Sequence, residues 1–380
     1  MPAAPAERRR RTLHPAILGV IAALLGVSCG AGSRPRIVYP QPWVSRSLSR
    51  VAQQAIDAWG RPRVVEIPES LMAIQAPRGY AGDIAFAEAM AALPGVVAAV
   101  GPQSSRSTLL VAPIYTERGI PLLVPTATSD AVRTLGPWVF QLAPDNSVEG
   151  AFMADFAVDR LAARRVTIFY LRADEYGLSL RQGVIDALRR RGIEPVDQVG
   201  IIEDTDFPRR VAESLRRARP DVVLVAARGP EASAIARAFH AHLPDVPLVV
   251  GDGAALNAIF AARAGAALPA VYGVAWWIGD RPDSLSRAFV ARFEKVAGAP
   301  PSASEAMYYD AIMVAAEAVR EAGPRPDAIR RWLAELGAAR PAFRGVTGPI
   351  SFGASRPANL LMTHFAGGTV AVVATPEAAR

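Results

Sequence analysis

From residue 96 to residue 129 the chain reads VVAAVGPQSSRSTLLVAPIYTERGIPLLVPTATS. Two short apolar runs, at 96–100 and 121–124, each end in small and hydroxyl residues: Gly-Pro-Gln-Ser-Ser, then Pro-Thr-Ala-Thr-Ser. Between them residues 107–118 have helical spacing, with Leu110, Ile114 and Tyr115 on one side. The order strand, loop, helix, strand, loop predicts a βαβ unit in a parallel sheet. Both loops then lie at the C-terminal ends of neighbouring strands, where open α/β sheets bind ligands. Each also leads into a helix N-terminus, whose free N–H groups and dipole favour an anion. Ser105, Ala127 and Thr128 are therefore candidates to hold a small carboxylate.

The remainder repeats this alternation. Strands are expected at 37–39, 64–67, 166–170, 196–202, 221–226, 248–250 and 271–274. Helices are expected at 45–59, 83–93, 147–161, 207–219, 231–243, 285–297, 304–322 and 329–336, with one more from about 177 to 191 that Gly192 ends. The last strands, 360–365 and 370–373, flank Ala366-Gly367-Gly368-Thr369, a hairpin turn signal. Such alternation predicts an α/β chain of two Rossmann-like lobes with parallel sheets, which 380 residues can fill.

The N-terminus reads as a leader. Four arginines at residues 8–11 precede an apolar stretch, 16–27, too short to span a membrane comfortably. Cys29, the only cysteine, follows directly, so no internal disulfide can form. Its place resembles the lipobox of bacterial lipoproteins, where the sulfur receives the lipid, although Gly26 stands where a branched apolar residue is usual. The net charge of +7 includes those four arginines and Glu7, leaving +4 beyond the leader, and Lys295 is the only lysine. No basic stripe interleaved with aromatics suggests nucleic acid.

The residues from Gly101 to Tyr115, with Gly119-Ile120 and Pro125-Thr126-Ala127-Thr128-Ser129, resemble the type I periplasmic binding proteins of the Leu/Ile/Val-binding kind, which feed branched-chain amino acid ABC importers. The resemblance runs from about Asp83 to about Gly367. It implies two lobes joined by three crossovers, near residues 138–146, 273–277 and 343–352. The implied division is a signal peptide at 1–28, a tether at 29–35, lobe 1 at 36–143 and 275–345, and lobe 2 at 144–274 and 346–380. It implies hinges near Ala143-Pro144, Gly273-Val274 and Gly345 to Gly348.

An amino-acid ligand needs an acceptor for its ammonium. Asp252, in Gly251-Asp252-Gly253, resembles the family's acidic residue at that position; the alternative is a turn or N-cap aspartate. Tyr176 matches the tyrosine that closes over the ligand, or else is a core tyrosine. The usual Gly/Ala-rich first loop is replaced here by Pro40-Gln41-Pro42-Trp43, so Trp43 is either an aromatic lid or packing. Arg228 and Arg106 either reach a second acidic group or are solvated charges.

No nucleophile elbow, P-loop or zinc motif occurs, and His240 and His242, two apart on a helix, diverge. Neither an enzyme nor a cofactor is expected. The implied role is lipid-anchored capture, on the periplasmic or cell-surface side of the membrane, of an amino acid or amide for an ABC permease. A sensor of the same fold, or an envelope adaptor without a ligand site, are the alternatives.

Overall fold

The computed structural model describes residues 35–39, 45–59, 79–202, 207–353, 359–366 and 369–376. Cys29, the leader, the turn carrying Trp43 and the strand expected at 64–67 lie outside these residues. Two sheets organise the rest. The first has the order β1-β2-β3-β4: Arg36–Val38, Val96–Val100, Leu122–Val124 and Val139–Gln141, all parallel. The second is built from β5 Val166–Leu171, β6 Asp197–Ile201, β7 Val222–Ala226, β8 Leu248–Val250 and β9 Val271–Ala275 in the parallel order β9-β8-β7-β5-β6. A small antiparallel hairpin, β10 Phe343–Gly345 and β11 Gly348–Ile350, stands apart. The final hairpin, β12 Leu361–Ala366 and β13 Thr369–Ala374, joins β9 antiparallel, so the second sheet is mixed rather than wholly parallel.

Strand periodicity explains why both sheets carry helices on each face. Neighbouring strand residues point to opposite sides, and here both sides are apolar. In the first sheet Ile37, Val97 and Leu123 meet Leu48 and Val51 of α1 (Arg46–Asp57). Val38, Val96 and Leu122 point the other way, onto Phe86 and Met90 of α2 (Tyr80–Ala91) and Val111 and Tyr115 of α3 (Ser105–Glu117). In the second sheet Val166, Ile168, Val222 and Leu224 pack on α4 (Asn146–Arg160) and α5 (Glu175–Arg190). Phe169, Val223 and Val225 share the opposite core with α7 (Gly229–His242), which follows α6 (Phe207–Ala218). Each such aliphatic side chain contributes roughly 1.5–3 kcal/mol on burial.

Two short helices, α8 Asp252–Ala255 and α9 Ala258–Ala264, follow β8. The chain then leaves β9 and returns to the first core through α10 Ser284–Ala297, α11 Ala303–Ala322 and α12 Pro326–Glu335. The point of return is sharp. Trp276 is buried in the second core and Trp277, the next residue, in the first. Gly273 and Val274 are paired strand residues of β9, flanked by β8 and β12. The change of core expected at 274–275 falls instead between the two tryptophans. The passage expected at 345–346 also moves. Val346 and Ile350 belong to the first core, Phe352 packs against it, and Leu360 lies in the second.

Candidate functional site

Helix α3 begins two residues before its expected start. Ser104 is its N-cap, and the Ser104 hydroxyl accepts the Ser107 N–H at 3.1 Å. Ser105 is thus the first helical residue, at the C-terminal end of β2, and it is buried. Its Oγ accepts the Ser129 N–H at 3.2 Å, which ties the ends of β2 and β3 together. Ala127 and Thr128 are buried in the same loop. Their carbonyls are held from β4 onward: Ala127 O accepts from Gln141 Nε2 at 2.8 Å, and Thr128 O from Asn146 N at 2.7 Å. Ser105, Ala127 and Thr128 therefore form one fixed cluster on the first sheet.

The second cluster belongs to the second sheet. Asp174 caps α5 by accepting the Tyr176 N–H at 2.8 Å. Tyr176 stands in the first turn of that helix, within the second core, and its hydroxyl accepts the Gly253 N–H at 3.0 Å. Asp252 opens α8 and is 5% exposed. The two glycines beside it are required by this approach. A Cβ at Gly251 would come within 2.5 Å of the Tyr176 hydroxyl, and one at Gly253 within 2.8 Å of its ring. Tyr176 is thus a core residue whose hydroxyl reaches the loop that carries Asp252. Burial raises the Asp252 carboxyl above the ordinary carboxylate range, against the opposing pull of neighbouring hydrogen bonds and of Arg228.

A third acid completes the cluster, and sequence reading missed it. Glu149, in the first turn of α4, is fully buried, and its Oε1 accepts the Asp252 N–H at 2.8 Å. Burial first, then the Asp252 charge, push its carboxyl well above the usual range. The available signal was an acid on a core face: Glu149 shares its side of α4 with Met153 and Ala157, both buried. Gly150 and Gly183 let α4 and α5 touch backbone to backbone, since a Cβ on Gly150 would fall 2.5 Å from Gly183. That contact sets Glu149 beside Tyr176.

Of the two arginines, Arg106 is an exposed charge and Arg228 is paired within the protein. Arg228 binds Asp174 through Nε and Nη2, at 2.8 and 3.1 Å, and lies over the Tyr176 ring at 5.4 Å. Arg106 sits over the Tyr80 ring at 5.0 Å. Ser129 connects the two clusters. Its hydroxyl donates to Glu175 Oε1 at 2.7 Å, and next to it the Asp130 N–H donates to Ser179 Oγ at 3.2 Å. Ser105 thus reaches Tyr176 and Asp252 through Ser129 and Glu175. Chemically, the arrangement offers a hydroxyl and a loop on one side and a carboxyl with a phenol on the other.

The sequence matches the periplasmic binding protein family over residues 79–370. A curated relative, an amino acid binding protein of Pseudomonas aeruginosa, is 25% identical over 242 residues, which cover 62% of this chain and 63% of that protein's length. Among solved structures, the leucine-binding protein LivK of Thermotoga maritima superimposes with a TM-score of 0.75 at 22% identity, covering 89% of this chain and 97% of that one. The branched-chain amino acid transporter binding protein LivJ of Streptococcus pneumoniae, solved with isoleucine, gives 0.75 at 22% identity, covering 90% and 99%. The pattern of two parallel α/β cores exchanged between non-contiguous segments, the matched span and these superpositions agree: this chain belongs to the type I periplasmic binding protein family.

Proposed function

We propose that this protein is an extracytoplasmic receptor that captures a small amino-acid-like ligand between its two lobes and delivers it to an ABC permease. In this reading Ser105 and the Ala127–Thr128 loop take the ligand carboxylate, Asp252 takes its ammonium, Tyr176 closes over the ligand beside Asp252, and Trp43 serves as the aromatic lid. The observation that carries the reading is the second cluster. A buried aspartate on the second sheet stands at the far end of the Ser129–Glu175 link from the hydroxyl-bearing loop of the first, and an ammonium is the donor that such a carboxylate would take. The names of LivJ's ligand and of the Pseudomonas relative support the same class. Ligand bridging both lobes favours the closed state and shifts its population. Cys29 is proposed as the lipidated first residue of the mature chain, holding the receptor at the membrane; among the described residues no helix is long and apolar enough to cross one.

The test is calorimetric titration of the purified chain with L-leucine, L-isoleucine and a panel of other amino acids and amides. Saturable heat with at least one α-amino acid is expected. Absence of binding across the amino acids, with heat from an uncharged amide, would replace the ammonium assignment by amide recognition.

A further inference from the structure

Glu149 and Asp252 are two buried acids joined by a hydrogen bond, and among the described residues no arginine or lysine forms an ion pair with either. The Asp252 N–H fixes Glu149 Oε1 at 2.8 Å, and this oxygen and the Tyr176 hydroxyl converge on Gly251, where a Cβ would fall 2.9 and 2.5 Å from them. Glu149 Oε2 and Asp252 Oδ1 are both buried without a hydrogen-bond partner. The groups facing the pair are few. Helix α5 contributes Tyr176, whose phenol burial keeps neutral. The end of β7 leads to Arg228, whose field reaches Asp252 but whose guanidinium is bound bidentately by Asp174. Strand β8, against α4, carries only Leu248, Val249 and Val250.

Two ionised carboxylates are acceptors only and cannot bond to each other. In a dry site their repulsion adds to the cost of burying each charge. One proton between them removes one charge and turns the contact into a charge-assisted O–H···O⁻ bond, the strong kind. Glu149 is the deeper of the two and farther from Arg228's influence, so the proton belongs to it and the charge to Asp252.

We propose that Glu149 is the positioning residue of the ammonium subsite: it keeps one proton at neutral pH, donates it to Asp252, and so lets the second lobe present a single, oriented negative charge to a ligand amine. The role toward the amine rests on the reading of Asp252 given above; the shared proton does not.

The experiment therefore has two arms. In the first, thermal unfolding of the full chain and of Glu149→Gln is followed from about pH 5 to about pH 8. A carboxyl that is protonated in the fold and ionised in the unfolded chain makes wild-type stability fall as pH rises. The midpoint of Glu149→Gln, neutral throughout, should therefore gain on wild type steadily across this window. A constant difference overturns the shared proton. Glu149→Met, also neutral and of similar size, gives the same reading if the amide does not fold, because the slope and not the offset is measured.

In the second arm L-leucine is titrated at pH 7. Glu149→Gln, whose amide donates to Asp252 as the acid does, should bind within about threefold of wild type, whereas Glu149→Met, which donates nothing, should bind at least about tenfold more weakly. Equal affinity of the two variants overturns the positioning role. Failure of the wild type to bind L-leucine strikes at the proposed ligand class and leaves the first arm to decide the proton.

Discussion

The Ser129 hydroxyl donates to Glu175 Oε1 across 2.7 Å, joining the end of a strand in the first sheet to the first turn of a helix on the second. The same Ser129 gives its N–H to Ser105. One residue thus connects the proposed carboxylate cluster to the helix that carries Tyr176. Hydrogen bonds to charged groups contribute about 1.5–3 kcal/mol. Glu175→Ala should therefore open the unliganded protein, seen as a larger radius of gyration by small-angle scattering, and weaken L-leucine roughly tenfold or more. An unchanged radius would show that this bond does not hold the lobes together.

Asp252→Asn should separate binding from folding. Removing one member of a charged contact typically costs roughly 2–5 kcal/mol of affinity, so an α-amino acid should bind at least about tenfold more weakly. The same change removes one buried negative charge while the amide oxygen can still accept the Glu149 proton, so the melting temperature should change little at neutral pH. Calorimetry and a thermal melt on one preparation read both effects.

Asp310 on α11 holds the turn of the β10–β11 hairpin, accepting from Val346 N, Thr347 N and Thr347 Oγ1 at 2.8, 2.8 and 2.6 Å. Burial raises its carboxyl from 3.8 to about 6, against those hydrogen bonds. The folded state thus binds the proton more tightly than the unfolded chain. Its contribution to stability is highest below the unfolded value and falls as pH rises through about 6, by roughly 3 kcal/mol at about 1.4 kcal/mol per pKa unit. Asp310→Asn lacks this dependence but also lacks one acceptor oxygen. Urea unfolding should find the variant weakest relative to wild type near pH 4, with the gap narrowing towards neutrality.

Gly183→Ala should be disruptive although alanine favours helices. Its methyl would strike the Asn146 carbonyl, which is backbone and cannot step aside. Forced separation of α4 and α5 should cost roughly 1–3 kcal/mol and displace Glu149 from Tyr176. Denaturant unfolding measures the first effect, and loss of L-leucine binding the second.

Cys29→Ser should abolish incorporation of labelled palmitate in a bacterial host, whereas the wild type is labelled. Equal labelling of both would place the lipid elsewhere or make the label non-specific.

The βαβ unit from Val96 to Val124 was legible because short continuous apolar runs that end in hydroxyl-rich loops leave few alternatives, and the structure places its two strands side by side and parallel. Glu149 was not legible. An acid on a core face gains meaning only from the partner opposite, and Asp252 is more than a hundred residues away. The passage between cores was misplaced for a related reason. Gly273 resembles a hinge glycine, yet it is small because Ala255 and Phe365 press on it, with a Cβ there falling 2.6 and 3.1 Å from them. Trp276 and Trp277 are equally apolar, and nothing in their identity says which core each enters. The antiparallel edge of the second sheet depends on β12 returning to β9 from some ninety residues away, a long-range pairing that local pattern does not encode.

The interleaving of segments has a consequence for synthesis. Strands β1 to β4 emerge from the ribosome first, but the face formed by Ile37, Val97 and Leu123 is covered only by α1 until α11 and α12 have been made. The second sheet in turn waits for β12 to cover the open edge of β9. A nascent chain of 270 residues therefore holds β1 to β4 and has finished neither half. Domains that are contiguous in sequence fold one after another as they are translated; this chain has to complete both almost together, once the elements from α11 to β12 have been made.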